Sequence, residues 1–176
     1  MESNVLNIVS DNFIVQALIR EIGSGNAIIA SLTESDYRSD EELAASIGGH
    51  FRHILDFVGT FLNGIAERRI DYTERERDVR VERDSRYAIE RFEFAARRLR
   101  SITDEVSESM LLVRSEIDAG RWYASSVARE VEFVLSHTIH HHALIAEKLK
   151  CLGLSTPEGF GVSSSTLRYW TQQLAA

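Results

Sequence analysis

Six histidines occur in this chain of 176 residues, and none stands apart: His50 and His53 lie within four positions, and His137, His140, His141 and His142 within six. A bound metal ion needs three or more donors converging from separate elements, and neutral imidazole is a common one. His137 and His141 are spaced i, i+4. On a helix that puts both rings on one face, within reach of a single ion at about 2.1 Å, as in the helical H-E-x-x-H zinc motif. On the same wheel His140 points to the opposite side, and His142 lies on the other flank of the apolar stripe. Glu130, seven residues before His137, shares its line. That position suits an acid that orients a ligand histidine or a general base, and equally an acid that only complements a helix N-terminus.

In the first cluster His50 sits beside the apolar stripe and His53 further round on the same flank. Periodicity alone therefore favours His50 as the third donor. The neighbouring Ser46, Gly49, Phe57, Thr60 and Gly64 carry no charge. This flank is expected to be covered, with its small residues leaving room for a pocket, while Arg52 and Asp56 are expected to face outward.

Both clusters require long helices to carry them, and the hydrophobic period supplies these. A first helix is expected over residues 5–32, with Ile8, Val15, Leu18, Ile19, Ile22 and Ile29 recurring at steps of three and four, weakened in the middle by Gly23 and Gly25. A turn follows at residues 33–36. A second helix should start near Asp40 or Glu41 and run to Ala66, its buried face drawn by Ile47, Phe51, Ile54, Val58, Phe61 and Ile65. The charge run between Ile70 and Asp84 reads as a solvated connector. A third helix spans 85–102 through Ala88, Phe92, Ala95, Leu99 and Ile102. Residues 108–123 read equally as a short strand or an irregular loop. A fourth helix should run from a Ser125 cap to Leu152, stopped by Gly153. Four amphipathic helices joined by loops make an all-α bundle the economical fold.

Composition narrows the function. Lys plus Arg is 20 against 27 Asp plus Glu, a net charge of −7, which argues against nucleic acid or an anionic membrane as partner. Apolar residues make up 44%, enough for a packed core. The single cysteine, Cys151, excludes an internal disulfide and a thiolate zinc cluster, and reads as a small apolar filler. No run of about 18 apolar residues is evident, and the start at Met1 lacks a secretory signal pattern. A soluble cytoplasmic protein is therefore expected. Trp122 and Trp170 are expected as core or interface anchors, and Ser163–Ser165 lacks the G-x-S-x-G context of a serine hydrolase.

The stretch from Ser136 to Ile145 resembles the final-helix motif of the DinB/YfiT-like superfamily, an H-x-x-x-H pair. Ser46-Ile47-Gly48 through His53-Ile54-Leu55-Asp56 is similar to that superfamily's second-helix signature, where a histidine completes the ligand set. Phe160-Gly161-Val162 and Ser165 to Tyr169 resemble the tail of a bacterial subgroup. The resemblance implies an up-and-down four-helix bundle over residues 1–154 with a packed tail at 155–176, often dimeric. It also implies a divalent metal on three histidines, carried over as His53, His137 and His141 with His50 in reserve. His142, Ala143 and Leu144 depart from the family's usual Arg-Gly-Gln, which affects any substrate contact made there. Three imidazoles leave coordination positions open, the catalytic rather than the structural type. Zinc or nickel is expected first, iron or manganese next. The ion would activate a water or a low-molecular-weight thiol toward a small substrate, as in the family's thiol S-transferases and hydrolases. The alternative is a non-catalytic metal-binding or stress-response bundle, or a dimeric interaction module using the same uncharged flanks.

Overall fold

The computed structural model describes residues 12–38 and 45–174. The expected helical turns before residue 12, including Ile8, and the expected helix start at Asp40 or Glu41 lie outside the described residues. Helix α1, Phe13–Ser31, begins where the Asn12 side chain accepts hydrogen bonds from the Ile14 and Val15 amides. A short α2, Glu34–Tyr37, stands where a turn was expected. Helix α3, Ile47–Glu67, is capped by the Ser46 hydroxyl on the Gly49 amide at 2.9 Å, so its first turn lies closer to His50 than the sequence suggested. It ends at Arg68 in the left-handed region (φ 53°). Strand β1 is Arg69–Ile70, α4 is Val79–Arg83, and α5 is Ser85–Arg100. After α6, Asp104–Glu108, come strands β2, Met110–Arg114, and β3, Trp122–Ser126. Helix α7, Val127–Cys151, and α8, Ser164–Leu174, complete the chain.

The four long helices close a ring: α1 packs on α5 and α7, and α3 packs on the same two. The stripes read from the sequence meet inside it. Val15, Leu18, Phe51, Ile54, Val58, Phe61, Phe92, Leu99, Val131, Val134 and Ile145 are all fully buried. Each such side chain contributes about 1.5–3 kcal/mol, and this shared core holds the helices together more than intrinsic propensity does. Leu152, expected at the end of the last stripe, is instead exposed.

Several expectations need correction. The fold is mostly helical but not purely so: β1 pairs parallel with β2 (Arg69 opposite Leu112), and β2 pairs antiparallel with β3 (Met110 opposite Ser126). The ambiguous stretch is thus two strands and a turn. Ser125 belongs to β3, and Ser126 caps α7. The charged connector is anchored rather than solvated, because Tyr72 and Val81 drop into the core while Asp71 pairs with Arg114 at 2.6 Å. Contrary to the expectation that no such apolar run is present, helix α1 is, by length and composition, apolar enough to cross a membrane (mean hydropathy 1.2). Here its apolar face serves the core. Behind α7, Phe160 of the tail is buried, and Gly161 (φ 73°) lies against the Ala143 backbone so closely that a Cβ would meet Ala143 N at 2.5 Å. Helix α8 itself buries no residue.

Candidate metal centre

Along the contact between α3 and α7, His50, His53 and Phe57 come from one helix, and Phe133, His137 and His141 from the other. Each set is spaced at three or four residues, so each lines one face. The ring centroids of His53 and His137 are 5.1 Å apart, and those of His53 and His141, and of His137 and His141, are both 4.6 Å apart. One nitrogen from each of these three rings lies within 4.8 Å of the other two. Donors bound tetrahedrally at about 2.1 Å stand roughly 3.4 Å apart, so side-chain adjustments on the order of 1 Å bring all three to one ion. The Nε2 atom of His137 is buried and has no hydrogen-bond partner. A buried, unpaired ring nitrogen is costly unless something binds it, and the residues present therefore fit a divalent cation.

His50, the donor preferred by periodicity, lies beside this trio rather than within it. Its Nδ1 is 3.0 Å from Nδ1 of His141, a hydrogen bond in which one ring donates and the other accepts. Burial lowers the pKa of His53 to about 4, of His137 to about 4 and of His141 to about 3. Neighbouring positive charge adds to each shift, from His137 on His53 and on His141, and from His140 on His137. His50 is lowered too, again chiefly by burial. All four rings are neutral at pH 7, with lone pairs available for a cation.

One wall of the site is aromatic. Phe57 lies 3.9 Å from the His137 ring and 4.9 Å from His53. Tyr72 stacks on Phe57 at 5.1 Å, and Phe133 closes the group 5.1 Å from Tyr72. Glu130, the acid singled out from the sequence, is buried beneath this wall. Its Oε2 accepts from the Tyr72 hydroxyl at 3.0 Å and its Oε1 from the Ser125 hydroxyl at 2.6 Å. Burial, reinforced by Glu130, holds the Tyr72 phenol far above its ordinary pKa, so it stays a donor to the carboxylate.

The remaining candidates fall elsewhere. His140 is exposed. His142 is wholly buried on the opposite side of α7, with Nδ1 3.1 Å from Glu21 Oε2 and its ring stacked on Phe160 at 4.5 Å. Asp56 is buried, not outward: it accepts from Arg52 Nη1 at 2.7 Å and from the Arg77 amide. Cys151 is exposed rather than a core filler. Trp122 lies under the Arg69 guanidinium at 4.3 Å, while Trp170 is exposed.

Tyr72 and Arg75 also border the site, although helical periodicity does not mark them. The Arg75 guanidinium lies 4.8 Å above the Phe57 ring, and its charge is felt at His53 and His137. The one usable signal was Tyr72 itself, a large aromatic set in an otherwise charged run. A cavity of about 780 Å³ opens on the adjoining face of α3. It contains none of the three histidines but shares Arg52, Asp56 and Arg75 with their surroundings.

A family model, the DinB superfamily, matches residues 24–145, a span that includes every histidine of the site. The protein named FK506-binding protein 5 of Rhizopus delemar is 31% identical over 108 residues, covering 59% of this chain and 28% of that protein. The chain thus spans little more than a quarter of that relative's length. No solved structure matches.

Proposed function

The chain belongs to the DinB superfamily, and from that premise we propose that it is a metalloenzyme whose divalent ion is held by His53, His137 and His141. The reading takes the helix ring as an up-and-down four-helix bundle of the DinB/YfiT type, residues 1–154, with residues 155–176 as its tail. The observation that carries it is the convergence of three ring nitrogens within 4.8 Å from two helices. Bound there with open positions, such an ion supplies a Lewis acid that favours the deprotonated form of a water or thiol. Zinc or nickel suits the all-imidazole set, and iron is compatible with it.

The chain's own residues do the rest. Burial keeps the three rings neutral and so ready to bind. His50 holds the His141 ring through the Nδ1 contact, the kind of outer partner that fixes a ligand's tautomer and tilt. Glu130 is a positioning residue: by gripping Tyr72 it keeps Phe57 pressed on His137. The aromatic wall excludes water from one side and leaves the substrate the other. The substrate class is a small electrophile attacked by a low-molecular-weight thiol or by water.

Equilibrium dialysis with elemental analysis tests the reading. About one divalent ion per wild-type chain is expected, and none in His53→Ala. Stoichiometric metal in His53→Ala, or none in the wild type, overturns it. Cobalt substitution then separates the enzyme from the non-catalytic alternative. A thiolate-to-cobalt absorption band on adding a low-molecular-weight thiol, with turnover of an electrophile, is expected of the enzyme; bound metal without turnover of any thiol or hydrolytic substrate favours the alternative.

A further inference from the structure

Arg75 is the least explained charged group near the histidines. Its side chain is about four-fifths buried, and its Nε is buried with no hydrogen-bond partner. Among the described residues its one ion pair is loose, 3.8 Å from Nη1 to the exposed Glu116, a contact of little energetic worth. The guanidinium is held in place by stacking on Phe57, whose ring also touches His137. The two buried acids near the site are already committed, Asp56 to Arg52 and Arg77, and Glu130 to Tyr72 and Ser125. Three neutral imidazoles around a divalent cation bring no negative charge either. Glu67, Asp71, Glu74, Glu76 and Asp78 also line the adjoining cavity, yet among the described residues none of them pairs with Arg75, so its buried guanidinium is short of acceptors.

Arg75 also lines the cavity of about 780 Å³. Of the other arginines there, Arg52 is bonded to Asp56 and Glu82, Arg114 to Asp71, and Arg98 to Asn63, while Arg69 and Arg91 lie over the Trp122 and Phe94 rings; among the described residues Arg75 is the arginine with a buried nitrogen that has no hydrogen-bond partner. A planar guanidinium with free N–H groups matches an oxyanion two bonds at a time. We propose that Arg75 is the anion seat of this site: it grips a carboxylate or phosphate group of the substrate where the three-histidine centre adjoins the cavity, so that the substrate is an organic anion. This assignment rests on the metal-site reading for the substrate's orientation, but the oxyanion contact itself belongs to Arg75.

Inorganic phosphate is the probe, titrated calorimetrically into metal-free and zinc-loaded protein, with zinc content measured separately. Wild-type chain is expected to bind phosphate in both forms. Arg75→Gln is expected to bind about tenfold more weakly or worse, the worth of at least one charge-assisted hydrogen bond, with zinc content unchanged. Arg98→Gln, at another arginine of the cavity lining, should bind as wild type. A second measurement needs no variant: phosphate should slow modification of Arg75 by phenylglyoxal, read by peptide mass spectrometry, and it decides the matter if Arg75→Gln does not fold. Phosphate binding unaffected in Arg75→Gln, lost instead in Arg98→Gln, or absent from the wild type overturns the assignment, as does modification of Arg75 at the same rate with and without phosphate. A chain that takes no zinc yet binds phosphate through Arg75 overturns the metal reading and leaves the anion seat standing.

Discussion

His141 and His142 are neighbours on one helix, yet they belong to different regions of the molecule. His141 faces α3 and lies near four other imidazoles, two of them supplied by that helix. His142 faces α1, wholly buried, where it meets Glu21 and sits so close to Gly25 that a Cβ there would come within 2.9 Å of its Nε2. One residue is about 100° of helix, enough to move a ring from one seam of the helix ring to the next. What the ring then does is set by the helix it meets. The α3 seam offers more imidazole and no free carboxylate, and so gathers three rings that could hold a cation. The α1 seam offers a carboxylate, a glycine and, from the tail, Phe160, and so makes a packed and hydrogen-bonded joint.

If that contrast is right, the two seams fail in different ways. The largest effect is expected from His137→Ala and His141→Ala, which should abolish stoichiometric metal binding. That loss exceeds the roughly 10–100-fold cost of removing an outer partner, and both proteins should remain folded by circular dichroism. His142→Ala should do the reverse. It opens a cavity in a fully buried position and strands Glu21, costing about 2–4 kcal/mol in urea unfolding, while metal affinity stays within about threefold. Metal lost in His142→Ala with the fold intact would merge the two seams into one site.

A smaller effect sharpens the α3 side. His50→Ala removes the partner of His141 Nδ1 without removing a ligand, and about a tenfold fall in metal affinity is expected by competition with a chromophoric chelator. Loss as complete as in His141→Ala would make His50 a fourth ligand.

The smallest effect is a pH dependence. In metal-free protein the pKa values of His53, His137 and His141 are lowered from an ordinary 6.5 to about 4, about 4 and about 3. As pH falls below 6.5 the unfolded chain binds protons that the folded chain refuses. Stability should therefore decline from about pH 6.5 to about pH 3, and rise with pH across that window. Replacing all three with alanine should flatten the slope of unfolding midpoint against pH there. An unchanged slope would mean these rings are not kept neutral by the fold.

How much of this was legible beforehand differs by element. The buried faces of α3, α5 and α7 were readable because the core lies on one side of each helix, and period 3.6 reports that directly. The pair His137 and His141 was readable for the same reason: its geometry is internal to one helix. The strands β2 and β3 were not, since Met110 to Val113 carries no unambiguous period. The charged run hid Tyr72 and Arg75 because composition there suggested solvent, and only the pairing of β1 with β2 and the packing of Tyr72 on Phe57 pull it inward.

By itself the sequence determined which residues share a helical face, that two such faces carry histidines, and which family the chain resembles. The family resemblance had already set His53 ahead of His50, against the preference of periodicity, and the structure groups His53 with His137 and His141; tertiary structure alone decided that His142 turns to Glu21 and that Arg75 is drawn down over Phe57. Periodicity fixes a side chain's angle about its own helix axis. It says nothing of how far one helix is rotated or slid against the next, and that relation, set by the packing of Phe51, Ile54, Val131 and Val134 in the common core, is what brings donors from separate helices together.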